Sequence, residues 1–329
     1  MKRTIELLFS TILINRVYFL LGLMIVVIII MSMISPYFLN VNNMLNMTRF
    51  GAVLALVAMG QSLVILGGGA GIDLSVGSMV SLSGVFFGLL VGTGMNIWAA
   101  AVLAVLSGGL LGAVNGITVG WFGVPPLIGT LGTMWAYGAI ALVITRGVPV
   151  SGFPPAFGFL GEGRFLEIPA QILFVVLPVF LILQYVTTRT VFGRWIYLIG
   201  VNDEAAQFSG IPVVRVRFLL YTISGLLAGM GAIVMSSWLM TARPDVGLGM
   251  ELQSITVAVL GGTYIFGGIG NLAGTILAVL IVTMVASGLQ LGGINTIWQL
   301  SVLGFILLGA VALNQAITER TARRQGIRI

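Results

Sequence analysis

The sequence predicts an all-α, polytopic membrane protein of about ten transmembrane helices with glycine-rich breaks. Three observations carry this. Of the 329 residues 58% are apolar and only 7% charged, against about 25% charged in a soluble domain. Apolar runs follow one another along almost the whole chain, many near the roughly 20 residues a bilayer span needs. No polar block is large enough for a soluble domain, so residues 1–329 read as one membrane domain.

The first run, Val17 to Leu39, follows Lys2, Arg3 and Arg16. It is too long for a signal-peptide core and lacks a small-residue cleavage site, so it reads as a retained helix. Runs at about 51–67 and 72–91 share one stretch broken by Gly67-Gly68-Gly69-Ala70-Gly71. A broken helix or re-entrant turn is the alternative to two full crossings there. Spans follow at 97–121 and 124–145, then a Pro- and Gly-rich loop at 146–167 with little regular helix. A sixth span at 168–187 leads to the largest polar loop, 188–217. The remaining spans are 218–240, the short 252–266, 270–290 and 295–315.

Charge orients these spans. With ten crossings and the N-terminus in the cytoplasm, the inner segments are 1–16, 188–217 and 316–329. They carry Lys2, Arg3, Arg16, Arg189, Arg194, Arg215, Arg217, Arg320, Arg323, Arg324 and Arg328. The outer side carries Arg49, Arg146, Arg164 and Arg243. That is the positive-inside distribution, so both termini are expected in the cytoplasm. The net charge of +6 is then a topology signal. It forms no basic stripe with aromatics, as nucleic-acid binding would need.

Absences narrow the chemistry. There is no His and no Cys, which removes thiol catalysis, Cys/His zinc sites and the usual general base. The single lysine, Lys2, precedes Arg3, so there is no Gly-Lys-Ser/Thr phosphate loop. No catalytic residue, metal ligand or bound cofactor is expected. If ATP drives this chain, ATP and magnesium sit on another one.

Glycine is abundant, at 46 residues, and in lipid it lets helix backbones approach closely. Gly108, Gly112, Gly116 and Gly120 share one helix face, and Gly84, Gly88, Gly92 and the pair Gly225, Gly229 repeat the spacing. The stripe serves packing within the chain or, alternatively, a subunit or sliding interface. Gln61-Ser62-Leu63-Val64 and Gln253-Ser254-Ile255-Thr256 each precede a glycine break. Both helices run the same way in this topology, so they do not mark an inverted repeat.

The loop from Phe192 to Pro212 is closely specified. Asn202 suits an N-cap, Asp203 and Glu204 suit the first turn, Gly210 a C-cap, and Pro212 stops extension. About two helical turns result on an exposed loop, which implies a docking partner. The run Phe192-Gly193-Arg194, then Gly200-Val201-Asn202, Ala205-Ala206 and Ser209-Gly210-Ile211, resembles the permease subunits of ribose- and xylose-type ABC importers. In order, Gly71-Ile72-Asp73-Leu74-Ser75-Val76-Gly77, Asn115-Gly116, Pro125-Pro126, Thr130-Leu131-Gly132-Thr133, Glu251-Leu252, Val259-Leu260-Gly261-Gly262-Thr263 and Phe266-Gly267-Gly268 are similar to that family too. The resemblance runs from about 40 to 313. Departures are the extra glycines before Ile72, Gln253 where an acid is common, and Arg243-Pro244-Asp245, which is closer to the branch handling deoxyhexoses or autoinducer-2.

The resemblance implies a permease in the bacterial inner membrane, paired with a second permease as homo- or heterodimer. It also implies two cytoplasmic ATPase subunits and an extracytoplasmic sugar-binding protein. The loop would be the coupling helix, with Ala205, Ala206 and Gly210 entering an ATPase groove and Arg194 pairing with Glu204 at its rim. Asp73 caps a half-helix starting near Leu74 or contacts substrate or a gate; Glu251 has the same two readings. Gln61, Ser75, Asn115, Thr130, Thr133 and Gln299 line a polar route or bond neighbouring helices. Trp135, Trp238 and Trp298 read as interface or packing aromatics. An ion-coupled secondary transporter or a passive channel is the competing class.

Overall fold

The computed structural model describes residues 16–312 except 296, 297, 300 and 303. The proposed N-terminal segment 1–16, but for its last residue, and the tail 316–329 lie outside the described residues, as does part of the tenth span. The chain is helical almost throughout, a multi-pass membrane architecture. Among the described residues seven helices are long and apolar enough to cross a bilayer. They are α1 (Arg16–Ile34), α2 (Val41–Leu66), α4 (Ile97–Gly120), α5 (Pro126–Thr145), α7 (Leu177–Arg189, with the π-helical turn Ile172–Val176 before it), α10 (Val213–Leu239) and α12 (Leu272–Leu291). Shorter helices are α3 (Val76–Gly92), α6 (Gly158–Glu162), α8 (Val191–Val201), α9 (Asp203–Phe208) and α11 (Met250–Leu260).

Asparagine starts four of them. Asn40, Asn96, Asn202 and Asn271 each accept a hydrogen bond from a first-turn amide, satisfying a donor the helix cannot. Pro125 and Pro126 open α5, where a missing N–H is no loss.

Helix α2 is the axis: 89% of its apolar window is buried, against 17% for α1 and for α7. Around it pack α10, α12 and α11, and α4 crosses α10 from outside. The stripe Gly108, Gly112, Gly116 lies against Tyr221, Gly225, Gly229 and Phe218 of α10, backbone on backbone.

Helices α3 and α11 are discontinuous. The 17 residues of α3 rise only about 26 Å, short of a bilayer core, and the run 71–75 before it lies outside any helix, with 74 and 75 in a turn. The glycine break 67–71 packs through Gly68 on Gly200 and Gly267. Helix α11 has 11 residues, about 16 Å and half a bilayer. Its start meets the start of α3, where Gly247 touches Gly77 and Ser81 Oγ accepts from Gly247 N at 3.0 Å. Its far end runs into Gly267 and Gly268, which pack on Gly68 and Gly200. Two helix starts therefore face each other inside the bundle.

The opposite end is closed by irregular chain. Strand β1 (Val150–Ser151) pairs antiparallel with β4 (Thr241–Ala242), and β2 (Arg164–Phe165) with β3 (Ile168–Pro169). Phe87, Phe153 and Phe157 pin this cover to α3 with ring centroids 4.9–5.8 Å apart.

Candidate functional site

Most of the polar residues singled out for a solute route form one connected cluster. Asp73 is fully buried. Its Oδ1 accepts from Ser75 N at 3.0 Å and Ser75 Oγ at 2.7 Å, and Ser224 Oγ on α10 reaches Oδ2 at 3.4 Å. Asn115 Nδ2 on α4 donates to Ser75 Oγ at 2.7 Å, and Thr133 Oγ1 on α5 donates to Asn115 Oδ1 at 2.7 Å. Thr130 Oγ1 accepts from Leu74 N and lies 3.1 Å from the Ile72 carbonyl. With its amide turned to satisfy both contacts, Gln61 donates to the Asp73 carbonyl at 2.9 Å and accepts from Asp73 N at 3.1 Å.

This arrangement answers a backbone problem. The non-helical run 71–75 has no strand partner to satisfy its peptide groups, and buried unpaired groups are costly. Gln61 and Thr130 take those groups, and Asp73 holds the turn into α3. Asp73, Ser75, Asn115, Thr130 and Gln61 are buried and Thr133 is half-buried, and their bonds hold the turn into α3. Asn115→Leu is expected to remove the bonds to Ser75 Oγ and Thr133 Oγ1, leaving those hydroxyls only their Asp73 and Thr130 partners, and to cost about 1–3 kcal/mol. Thermal unfolding in detergent reads that loss, and an unchanged midpoint would contradict it.

Glu251 and Gln299 do not belong to this cluster. Glu251 sits in the first turn of α11, its Oε1 accepting from Gly249 N at 3.2 Å and its other oxygen directed at Gly77. It serves the helix start, where a negative charge is favoured. Gln299 donates to the Ile294 carbonyl at 3.1 Å, beyond the end of α12.

The second candidate region is the 190–212 face. Thr190 caps α8 through Gly193 N at 3.1 Å, and Asn202 caps α9 through Ala205 N at 2.9 Å. Gly193 packs on the Val186 and Thr187 carbonyls, and Gly200 on Leu66 and Gly268, so both anchor the loop to the bundle. Gly210 holds φ +82° in the αL region that glycine favours.

Two expectations about this face are corrected. Arg194 and Glu204 form no ion pair among the described residues; Arg217 pairs instead with Asp203 at 2.8 Å. Asp203 is the α9 residue facing α10, and Glu204 is turned to solvent. Ala206 is buried, as is Ile211, because α9 rests on them. The exposed side of α9 is Glu204, Ala205, Gln207, Phe208 and Ser209. Sequence reasoning missed Phe208, which is 92% exposed. The signal was there to read: Phe208 is the one aromatic side chain of the capped segment 203–210.

The hydrogen bond from Arg217 holds the Asp203 carboxyl below its usual range. A carboxylate lowered on folding stabilises above its unfolded pKa and loses that contribution as pH falls through the folded value. The α9–α10 contact is therefore expected to hold from neutral pH down to the ordinary carboxylate range and to loosen below it. Hydrogen exchange of the 203–210 amides against pH reads this, and Asp203→Asn should abolish the transition.

Comparison with known proteins covers nearly the whole chain. Residues 43–311 match the family model described as branched-chain amino acid transport system / permease component. The ribose import permease protein of Bacillus subtilis is 40% identical over 297 residues, 90% of this chain and 91% of that one. The D-allose transport system permease protein of Escherichia coli is 38% identical over 296 residues, 89% and 90%. The autoinducer 2 import system permease protein of Photorhabdus laumondii is 34% identical over 298 residues, 89% of each. No solved structure gives a significant match.

Proposed function

The chain belongs to the permease-component family of branched-chain amino acid transport systems, and from that premise we propose that it is the membrane subunit of an ATP-driven sugar importer. It translocates a monosaccharide, a pentose, hexose or deoxyhexose or a related furanosyl compound, brought by an extracytoplasmic binding protein. Two cytoplasmic ATPase subunits drive it, and a second permease chain completes the pathway. Its place is the bacterial inner membrane with both termini in the cytoplasm. Similarity over about nine-tenths of the chain to a ribose import permease and a D-allose transport system permease supports the sugar class.

One observation carries the drive mechanism. Helix α9 is capped at both ends, held to α10 by Asp203–Arg217, and presents Phe208 to solvent. A rigid, exposed apolar knob is the form of an interface anchor. Force on α9 passes through Arg217 along α10 to Ser224, seven residues or two turns further on the same face, and so to Asp73. The glycine junction of Gly68, Gly200 and Gly268 gives a second contact from α8 to both discontinuous helices.

The test is co-purification of an ATPase subunit from the native membrane with the tagged chain. Glu204→Arg, an exposed change that leaves the cap intact, should lose the ATPase and keep the fold. Retention of the ATPase by this variant and by one shortened across 203–210 would refute the docking role.

The ion-coupled reading has one feature in its favour, the two discontinuous helices with carboxylates at their starts. Asp73 accepts from Ser75 and Ser224, and Glu251 accepts the Gly249 amide. Each carboxylate is thus committed to backbone or hydroxyl donors.

A further inference from the structure

The Asp73 cluster leaves open where solute is received, and the bundle holds a cavity with fitting chemistry. It lies among the first turns of α2, the last turns of α10 and α12, and the start of α11, with a volume of about 790 Å³. Asn46, Gln253, Gln290 and Gln299 line it together with Trp238. Among the described residues no lining residue is ionisable. The nearby Arg49 is compensated, bonding Asn46 Oδ1 at 2.9 Å and pairing with Glu162 at 3.5 Å. Gln253 is half-buried in the first turn of a helix that starts inside the bundle, and its buried Oε1 has no hydrogen-bond partner.

We infer that this cavity is the solute site of the permease, taking a neutral polyhydroxylated ring of monosaccharide size with the unpartnered Gln253 amide as its contact on α11. The assignment rests on the importer reading. Each amide both donates and accepts, as each sugar hydroxyl does. An indole face suits the C–H face of a ring, and an uncharged lining suits a neutral solute. The volume lies within the range of small-molecule sites, with room left for water, which keeps binding weak enough for release. The cavity is at the end opposite α9, so solute delivered there has the whole bundle still to cross. Its Gln253 belongs to α11, whose start meets that of α3, and α10 reaches the turn into α3 through Ser224 and Asp73.

The chain has no cysteine, so Gln253→Cys and Gln290→Cys each introduce the only thiol of the permease. The experiment uses the full importer in proteoliposomes, with radiolabelled ribose and allose as probes and a membrane-impermeant methanethiosulfonate applied on the binding-protein side. Both thiols should react from that side, and modification at 253 should lower uptake by about tenfold or more, the loss of one good contact. Sugar-loaded binding protein should slow the reaction. Gln253→Asn should retain most uptake, separating lost contact from misfolding. If the unmodified importer works but the thiol at 253 is unreactive, or is modified without loss of uptake, the cavity assignment falls and the importer reading stands. If the unmodified importer, with ATP and binding protein, takes up neither sugar, both fall.

Discussion

Gly112→Leu is expected to yield no folded protein in the membrane. A Cβ on Gly112 meets the Tyr221 carbonyl oxygen and lies 3.0 Å from Gly225 Cα, so its neighbours are backbone atoms that cannot rotate away. Overpacking a core with flexible neighbours costs about 1–3 kcal/mol. Here four carbons must be housed by separating α4 from α10, a large part of a stability margin of about 5–15 kcal/mol. Gly112→Ala should lower the thermal midpoint in detergent, and Gly112→Leu should leave no monodisperse peak on size exclusion. Gly132→Leu on α5, where an added Cβ meets nothing within 4 Å, should behave as the parent. Equal behaviour of the two leucine variants would contradict the close crossing.

Phe208→Asp is expected to do the opposite: leave the fold intact and remove transport. The side chain is 92% exposed, so the isolated chain loses little. In the importer it is the apolar anchor of α9, and losing such an anchor costs about 2 kcal/mol or more, near a 30-fold weakening of the ATPase contact. A charge buried in the partner's groove adds to that. ATP-driven uptake should fall accordingly while the midpoint of the purified permease stays unchanged. Uptake within a factor of two of the parent would show that α9 does not carry the drive.

These two residues show what the sequence made legible. The Gly108–Gly120 spacing is readable as a packing face, because glycine at every fourth position has one helical meaning. What it packs on is not, since Gly225 and Gly229 lie more than a hundred residues away. The hydropathy pattern locates most spans but misplaces two starts. Helix α2 begins at Val41 because Asn42, Asn43, Asn46 and Arg49 lower hydropathy without breaking the helix; three of its early residues, Asn43, Asn46 and Met47, face the polar cavity. Helix α10 begins at Val213 because Arg215 and Arg217 sit at its exposed end, where Arg217 meets Asp203. Helix α8, short and amphipathic, reads as loop by hydropathy alone.

The candidate site was legible in its residues and less so in its geometry. Asp73, Ser75, Asn115, Thr130, Thr133 and Gln61 are unusual polar groups in apolar spans, and composition alone marks them. Their joining into one cluster depends on contacts up to 151 residues apart. Glu251 shares their chemistry but lies on another helix start. Gln253 stands out in sequence only as a substitution for an acid, yet it lines the large cavity.

If this chain moves a sugar only when a separate ATPase works on it, transport must depend on every partner at once. The measurement is uptake of radiolabelled ribose and allose into proteoliposomes holding the permease, its ATPase and its binding protein, with and without internal ATP. Uptake that requires all three components and ATP is the expected result. Sugar transport by the permease alone, indifferent to ATP, would contradict it.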